Sequence, residues 1–365
     1  MGISRKEALD CLRSDDLIGV GMEADAVRRR LHPEGVVSYA IECAIDYATA
    51  MDGGTDDANH PNIGCAHRLF DEIRETIDLG STGVRLVSGV GGPGSQWKDC
   101  GMAWFEGMLR GIRQRFPSLW IEALSASEIA ALATGSGLDL RQIIARLRDA
   151  GLDSIASDDA ASLGAAVSLG NRVAQPQCSL DEWLAVHRAA HGLGMPTVAT
   201  MHFGAGNAQE QRVDTLAAIR QLQQETGGFT AFIPRSLPSR NASGGWDGPT
   251  AVEQLKTLAV ARIFLDNIQN IQLSAAAQEL KVLQTGLRFG ANDAGSIMPL
   301  GIGAKPVGGA ISGNGLMSDN GANVGGGKNA AATNHPSEED LRRIIRDAGF
   351  QPVQRDLAYR AMYLN

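Results

Sequence analysis

The feature that most restricts the fold is an alternation of two hydrophobic patterns along the chain. Short apolar runs rich in β-branched residues fall at about 36 to 45, 83 to 88, 119 to 124, 152 to 156, 196 to 201, 229 to 233, 270 to 274 and 286 to 290. Between them, apolar residues recur at helical spacing over about 65 to 79, 101 to 115, 138 to 150, 180 to 193, 208 to 226, 250 to 268 and 275 to 284. Compact apolar runs suit strands buried on both faces, and a 3.6-residue period suits helices with one buried stripe. Eight such strands alternating with helices predict an α/β chain closed into a (β/α)8 TIM-type barrel. The 365 residues suffice for one such domain. An N-terminal cap is expected over about 1–35, and a C-terminal helical cap over about 336–365, where DLRRIIRDAGF has a helical pattern.

Barrels of this kind place their chemistry at the C-terminal ends of the strands. The informative segments are therefore 46 to 60, 88 to 97, 122 to 128, 156 to 160, 200 to 207, 234 to 241 and 291 to 296. A further stretch, PLGIGAKPVGGAISGNGLMSDNGANVGGGKNAA over about 299–331, is dense in Gly and Asn and nearly free of charge. It holds too few apolar side chains to order itself alone, and is either a loose insertion or a lid over the barrel mouth. The formal net charge of -8 argues against nucleic acid as a partner, because that affinity draws on clustered Lys and Arg. No apolar stretch reaches the roughly eighteen residues of a membrane span, so a cytoplasmic protein is expected. Five cysteines, Cys11, Cys43, Cys65, Cys100 and Cys178, are spaced widely and irregularly. That pattern matches neither a disulfide framework nor a CxxC metal site, and suits reduced thiols.

Several blocks carry a resemblance: EWLAVHRAAHGLGMPTVATMHFG (182 to 204), QETGGFTAFIP (224 to 234), TLAVARIFLDNIQNIQLS (257 to 274), LRFGANDAGSIM (287 to 298) and RDAGFQPVQRDLAY (346 to 359). In order, and over nearly the whole chain, they resemble the futalosine-pathway radical SAM enzymes, the family of dehypoxanthine futalosine cyclase, aminofutalosine synthase and the deazaflavin (FO) synthase subunit. The resemblance implies a barrel of the radical SAM kind. It also implies a [4Fe–4S] cluster on C-x3-C-x2-C just after the first strand, with S-adenosylmethionine (SAM) on the fourth iron. Here the motif's Tyr falls at Tyr47, and its three cysteine positions fall on Met51, Thr55 and Ala58. A thioether, a hydroxyl and a methyl do not replace soft thiolates, so no iron–sulfur cluster is expected. Other mouth segments differ as well. The family's PGGGAE segment reads ASDDAA, with Asp158 and Asp159 replacing glycines, and the family's TMMxGHxE becomes residues 200 to 207, ending at Asn207.

The turn from Ser88 to Gly94 resembles the family's GGxxP turn, which approaches the methionine moiety of SAM. Gly89, Gly91 and Gly92 are its candidates, with the register between Gly89 and Gly91 open. Backbone amides there suit a carboxylate, although such glycines also serve plain tight connections. Arg172 falls where the family has an arginine reaching the SAM carboxylate, a bidentate role; a surface ion pair is the alternative. Glu122, Ser157, Asp158 and Thr200, from three neighbouring mouth segments, complete the expected cofactor pocket. His202, at the mouth end of the fifth strand, is the candidate base. Its expected partner is Asp293, which matches an active-site Asp of the family, or Asp159. No metal site is expected. His187 and His191 lack an HExxH context and suit an exterior helix, and Asp52, Asp56 and Asp57 suit a solvated loop.

Without a cluster there is no one-electron route to a 5'-deoxyadenosyl radical. The expected function is therefore a polar reaction on SAM or a nucleoside-like substrate in small-molecule biosynthesis, as a lyase or alkyl transferase. The alternative is a non-catalytic pseudoenzyme binding a metabolite or a radical SAM partner. Expected partners are a small molecule, with neither nucleic acid nor membrane, and a homodimer is left open.

Overall fold

The computed structural model describes residues 2–47, 67–87, 101–157, 178–204, 207–237, 239–240, 246–273, 280–297 and 336–362. Two helices, α1 (Arg5–Arg13) and α2 (Leu17–Leu31), precede the sheet. The start of α1 is fixed by a capping box: Ser4 accepts the Glu7 N–H and Glu7 accepts the Ser4 N–H.

Strands β1 (Val36–Ile41) and β2 (Cys43–Asp46) are two halves of one stave, broken at Glu42. Next come α3 (His67–Asp78), β3 (Gly83–Val87), α4 (Met102–Arg115), β4 (Trp120–Ala123), α5 (Ala126–Ser136), α6 (Leu140–Ala150) and β5 (Ser154–Ile155). The second half holds α7 (Leu180–His191), β6 (Thr197–Gly204), α8 (Gln209–Thr226), β7 (Phe229–Leu237), a small ribbon of β8 (Ser239–Arg240) with β9 (Trp246–Asp247), then α9 (Ala251–Phe264), β10 (Asn270–Ile271), α10 (Leu280–Gly286) and β11 (Asp293–Ile297). The chain's last described elements are α11 (Glu338–Asp347) and β12 (Gln351–Gln354).

Parallel pairing runs β2–β3–β4–β5, then β6–β7–β10, and β11–β1. A parallel bridge from Gln272 to Asp293 joins β10 to β11. Side chains close the gap between β5 and β6: Ser154 Oγ donates to Pro196 O and Thr200 Oγ1 to Ser157 O, each at 2.9 Å. The eight staves thus form the expected barrel. Because strand side chains alternate, Val84, Leu86, Ile121, Ala123, Ala199, Met201 and Phe232 join the main core under the helices. Ser38, Arg85, Glu122, Thr200, Ile233 and Asp293 occupy the inward positions.

The structure corrects three expectations. The last stave is β11, not residues 286 to 290, which close α10 and form a turn. At Gly290 φ is +104°, and an added Cβ would lie 2.7 Å from Arg262 Cβ, so neither strand nor side chain fits there. An extra helix, α5, packs before α6 inside the connection to the fourth strand, its start fixed by a Ser125–Glu128 capping box. The C-terminal cap is not wholly helical. Strand β12 pairs with β1 on the edge away from β11, in register from Val36↔Gln351 to Tyr39↔Gln354. The Gly-rich stretch 299–331 lies outside the described residues.

Candidate functional site at the barrel mouth

The inner surface carries charge. Arg85 bridges two carboxylates, with Nη2 2.8 Å from Glu42 Oε1 and Nε 3.3 Å from Glu122 Oε1. Glu42 and Glu122 are each 5% exposed, so the pairing offsets what would otherwise be costly desolvation. Glu122 Oε1 also accepts the Ser157 N–H at 2.8 Å. With the Thr200 bond to Ser157 O, three of the residues assigned to the cofactor pocket, Glu122, Ser157 and Thr200, are held together. The Ser157 hydroxyl is buried and has no hydrogen-bond partner among the described residues. Leaving such a group unpaired costs about 1–3 kcal/mol, which a bound molecule would recover.

On the other wall Asp293 is fully buried. Its carboxylate receives Arg355 Nε at 2.5 Å and Nη2 at 3.0 Å, Ser38 Oγ at 2.5 Å and the Gly295 N–H at 2.9 Å. Arg355 Nη2 also meets Gln272 Oε1 at 3.3 Å, and the Tyr359 hydroxyl donates to the same oxygen at 2.6 Å. The guanidinium carbon stands 3.8 Å from the Tyr359 ring centroid. Burial draws the Arg355 pKa down, but the charge of Asp293 outweighs it and the net shift is upward. Burial likewise pushes the Tyr359 phenol up. Both groups stay protonated. With its oxygens so engaged, Asp293 orients Arg355, and among the described residues no hydrogen bond joins it to His202. The sequence reading missed Arg355, Gln272 and Tyr359; the only signal was the block containing QRDLAY, whose partners lie 62 and 83 positions away.

His202 on β6 faces Arg235 on β7 in parallel register, and both side chains are partly exposed. Burial first, and the Arg235 charge second, push the His202 imidazole down to about 3. The ring is neutral at physiological pH, offering one N–H donor and one bare nitrogen. As a base it is weak.

The remaining candidates, Gly89, Gly91, Gly92, Asp158, Asp159 and Arg172, lie outside the described residues, as do Met51, Asp52, Thr55, Asp56, Asp57 and Ala58. The described thiols sit on separate elements. Cys11 is on α1; Cys43 is buried on β2; Cys178 precedes α7, where the Ser127 hydroxyl lies 3.6 Å from its sulfur. Burial pushes the Cys11 and Cys43 thiols up, away from thiolate. Among the described residues no three His, Cys, Asp or Glu groups converge on a metal position. Cys65 and Cys100, like the positions 51, 55 and 58 that the resemblance assigns to a cluster, lie outside the described residues.

Residues 226–364 match the family described as the CofH/MqnC C-terminal region. The chain is 32% identical over 98% of its length, and 85% of the relative's, to cyclic dehypoxanthine futalosine synthase of Streptomyces coelicolor. It is 31% identical to aminodeoxyfutalosine synthase of Thermus thermophilus, over 79% of this chain and 71% of that one. To the 5-amino-6-(D-ribitylamino)uracil--L-tyrosine 4-hydroxyphenyl transferase of Archaeoglobus fulgidus it is 29% identical, over 95% and 96%. In fold it is similar to the FeFe-hydrogenase maturase HydG of Carboxydothermus hydrogenoformans (TM-score 0.62, 16% identity, 98% of this chain and 78% of that one). Methylornithine synthase (PylB) is similar to the same degree (TM-score 0.63, 16% identity, 96% and 94%). These findings overturn the expectation of a cluster-free, polar reaction, and its non-catalytic alternative with it: relatives that match over 79% to 98% of the chain are synthases and transferases of a radical family. The chain belongs to the futalosine-pathway radical SAM family.

Proposed function

We propose that the chain is a biosynthetic enzyme that uses SAM in the radical chemistry of its family and acts on a nucleoside-like small molecule at the barrel mouth. The observation that carries this reading is the match to cyclic dehypoxanthine futalosine synthase across 98% of the chain. In this reading SAM lies over Glu122, Ser157 and Thr200, and its pocket is completed by Gly89, Gly91, Gly92, Asp158 and Arg172. The unpartnered Ser157 hydroxyl supports a ligand at that point. Asp159 and the neutral His202 serve the substrate side, and Asp293 acts through Arg355. A cytoplasmic location belongs to the same proposal; among the described residues no helix is long and apolar enough to cross a membrane.

Membership and donor set pull in opposite directions. Membership rests on the whole chain and decides the reaction class. Met51, Thr55 and Ala58 are three positions, and they bear on how an electron reaches SAM. Binding is therefore tested separately from chemistry. Calorimetry with SAM and with dehypoxanthine futalosine is expected to show saturable binding of both, weakened severalfold for SAM in Glu122→Gln. Binding of neither molecule to folded protein would sink the proposal.

A further inference from the structure

Helix α2 has two faces of opposite character. Val20, Gly21, Ala24 and Arg28 are buried, and the packing there is tight: an added Cβ at Gly21 would lie 2.6 Å from the Phe289 ring. At about 100° per residue, the opposite face carries Ile18, Met22, Ala26 and Arg29, all of them exposed. Ile18 and Met22, at 64% and 68%, are the two most exposed large hydrophobic side chains among the described residues. The next, Val252 at 47%, opens α9, which packs along α2. Single apolar residues on a surface are ordinary. Two at i, i+4, continued by the small Ala26 at i+8, form a strip along one helix face.

The strip ends in opposite charges. Asp15, exposed just ahead of the helix, and Arg29, near its end, each lie seven positions from Met22. Arg29 Nε leans on Asp25 Oδ2 at 3.5 Å, yet its side chain stays 65% exposed, because Arg28 is the nearer partner of Asp25, at 2.8 Å. Acid first and base last also suits the helix dipole. The apolar residues between them therefore argue for a partner, and the charges argue for its direction.

We propose that this face of α2 is an interface between two copies of the chain, packed antiparallel across a two-fold axis at Met22. Such an axis sets Met22 against the partner's Met22, Ile18 against the partner's Ala26, and Asp15 against the partner's Arg29. Each contact then occurs twice, as an isologous interface requires. The parallel arrangement would bring Asp15 to Asp15 and Arg29 to Arg29, so charge selects the antiparallel one. Large residues facing a small one let the two helices approach to the usual separation of about 8–10 Å. A single helix face falls short of the roughly 800 Å² a side of a standard interface, so a reversible dimer in the micromolar range is expected.

The test is sedimentation velocity on the full-length protein between about 1 and 200 µM. The wild type is expected to pass from monomer to dimer over that range. Met22→Glu places two carboxylates face to face on the axis and is expected to weaken the dimer at least about tenfold, with melting temperature unchanged. Asp15→Lys and Arg29→Glu are each expected to weaken it severalfold, and their combination to restore it. Under copper-phenanthroline oxidation Met22→Cys is expected to yield a disulfide-linked dimer, and Ile77→Cys, exposed on α3, is not. A wild type that stays monomeric throughout would overturn the inference and leave the strip to a different chain. A dimer indifferent to Met22→Glu would overturn it by placing the interface elsewhere. Equal cross-linking of Met22→Cys and Ile77→Cys, or a folded double variant that does not recover, would overturn the antiparallel arrangement.

Discussion

At the scale of single residues, two buried arginines illustrate different risks. Arg355 is paired with a carboxylate, so removing one partner strands a buried charge. Asp293→Asn is predicted to destabilise the fold by about 3–5 kcal/mol, read by urea unfolding. If that substitution proves neutral in stability but abolishes turnover, Asp293 acts on substrate and not through Arg355. Among the described residues Arg262 has no carboxylate partner; its donors serve the carbonyl oxygens of Gly290, Ile268 and Gln269 and Asn292 Oδ1. Burial, with the nearby Arg28 charge, draws its pKa down to about 9. Arg262→Met removes the donor of several buried acceptors at once and is expected to cost at least about 3 kcal/mol. Of these residues the sequence exposed only Asp293, through its match to the family's active-site Asp; it was expected at the end of the eighth strand, and it opens β11 instead. An arginine meant for an interior reads like one meant for the surface until its partners, here as far as 30 positions from Arg262 and 83 from Arg355, are brought to it.

At the scale of elements, the seam between α7 and β6 is built on two neutral imidazoles. Thr226 Oγ1 donates to Leu222 O, so it must accept from His191 Nδ1–H at 2.7 Å. His191 Nε2 is then bare and accepts the Thr197 hydroxyl at 2.8 Å; Thr197 Oγ1 in turn accepts from His187 Nδ1–H at 2.8 Å. The chain of donors fixes both tautomers. Burial pushes the His187 pKa well down and brings His191 to about 4. Folded pKa values below the unfolded value mean that stability is fully present above about pH 6.5 and is lost as the pH falls toward 4. For His191 alone the loss by pH 4.5 is about 2–3 kcal/mol. Melting curves at pH 7 and pH 4.5 should show it, and His191→Gln should flatten the difference. Helix α7 and its inward histidines were legible as a helix with an i, i+4 pair, but the threonines that make the seam belong to other elements. The misplaced last strand has a similar cause: GLRFG is apolar enough for a strand, yet Gly290 needs a positive φ against Arg262. Gly290→Ala is predicted to destabilise strongly, by more than about 2 kcal/mol in thermal or urea melts.

At the scale of the whole molecule, the barrel is closed by its C-terminal segment as well as by its strands. β12 lies beside β1, Arg355 reaches Asp293, and Tyr359, at φ +64°, reaches Gln272. Cutting the chain after Gln354 should strand the Asp293 carboxylate and open the floor beneath the mouth; loss of cooperative unfolding in the truncated protein is the expected outcome. Periodicity alone gave the barrel, because its helices bury one stripe and its strands two faces. The mouth was harder to read, since inward charges such as Arg85 and Arg235 follow no period and take meaning only from neighbouring staves. The central claim is that this barrel performs the radical SAM chemistry of its family. Its most direct test is mass-spectrometric detection of 5'-deoxyadenosine when the anaerobically purified and reconstituted protein meets SAM, dithionite and dehypoxanthine futalosine, with iron and sulfide assayed on the same sample. The account predicts 5'-deoxyadenosine formed along with consumption of the nucleoside; intact SAM and intact nucleoside with folded protein would contradict it.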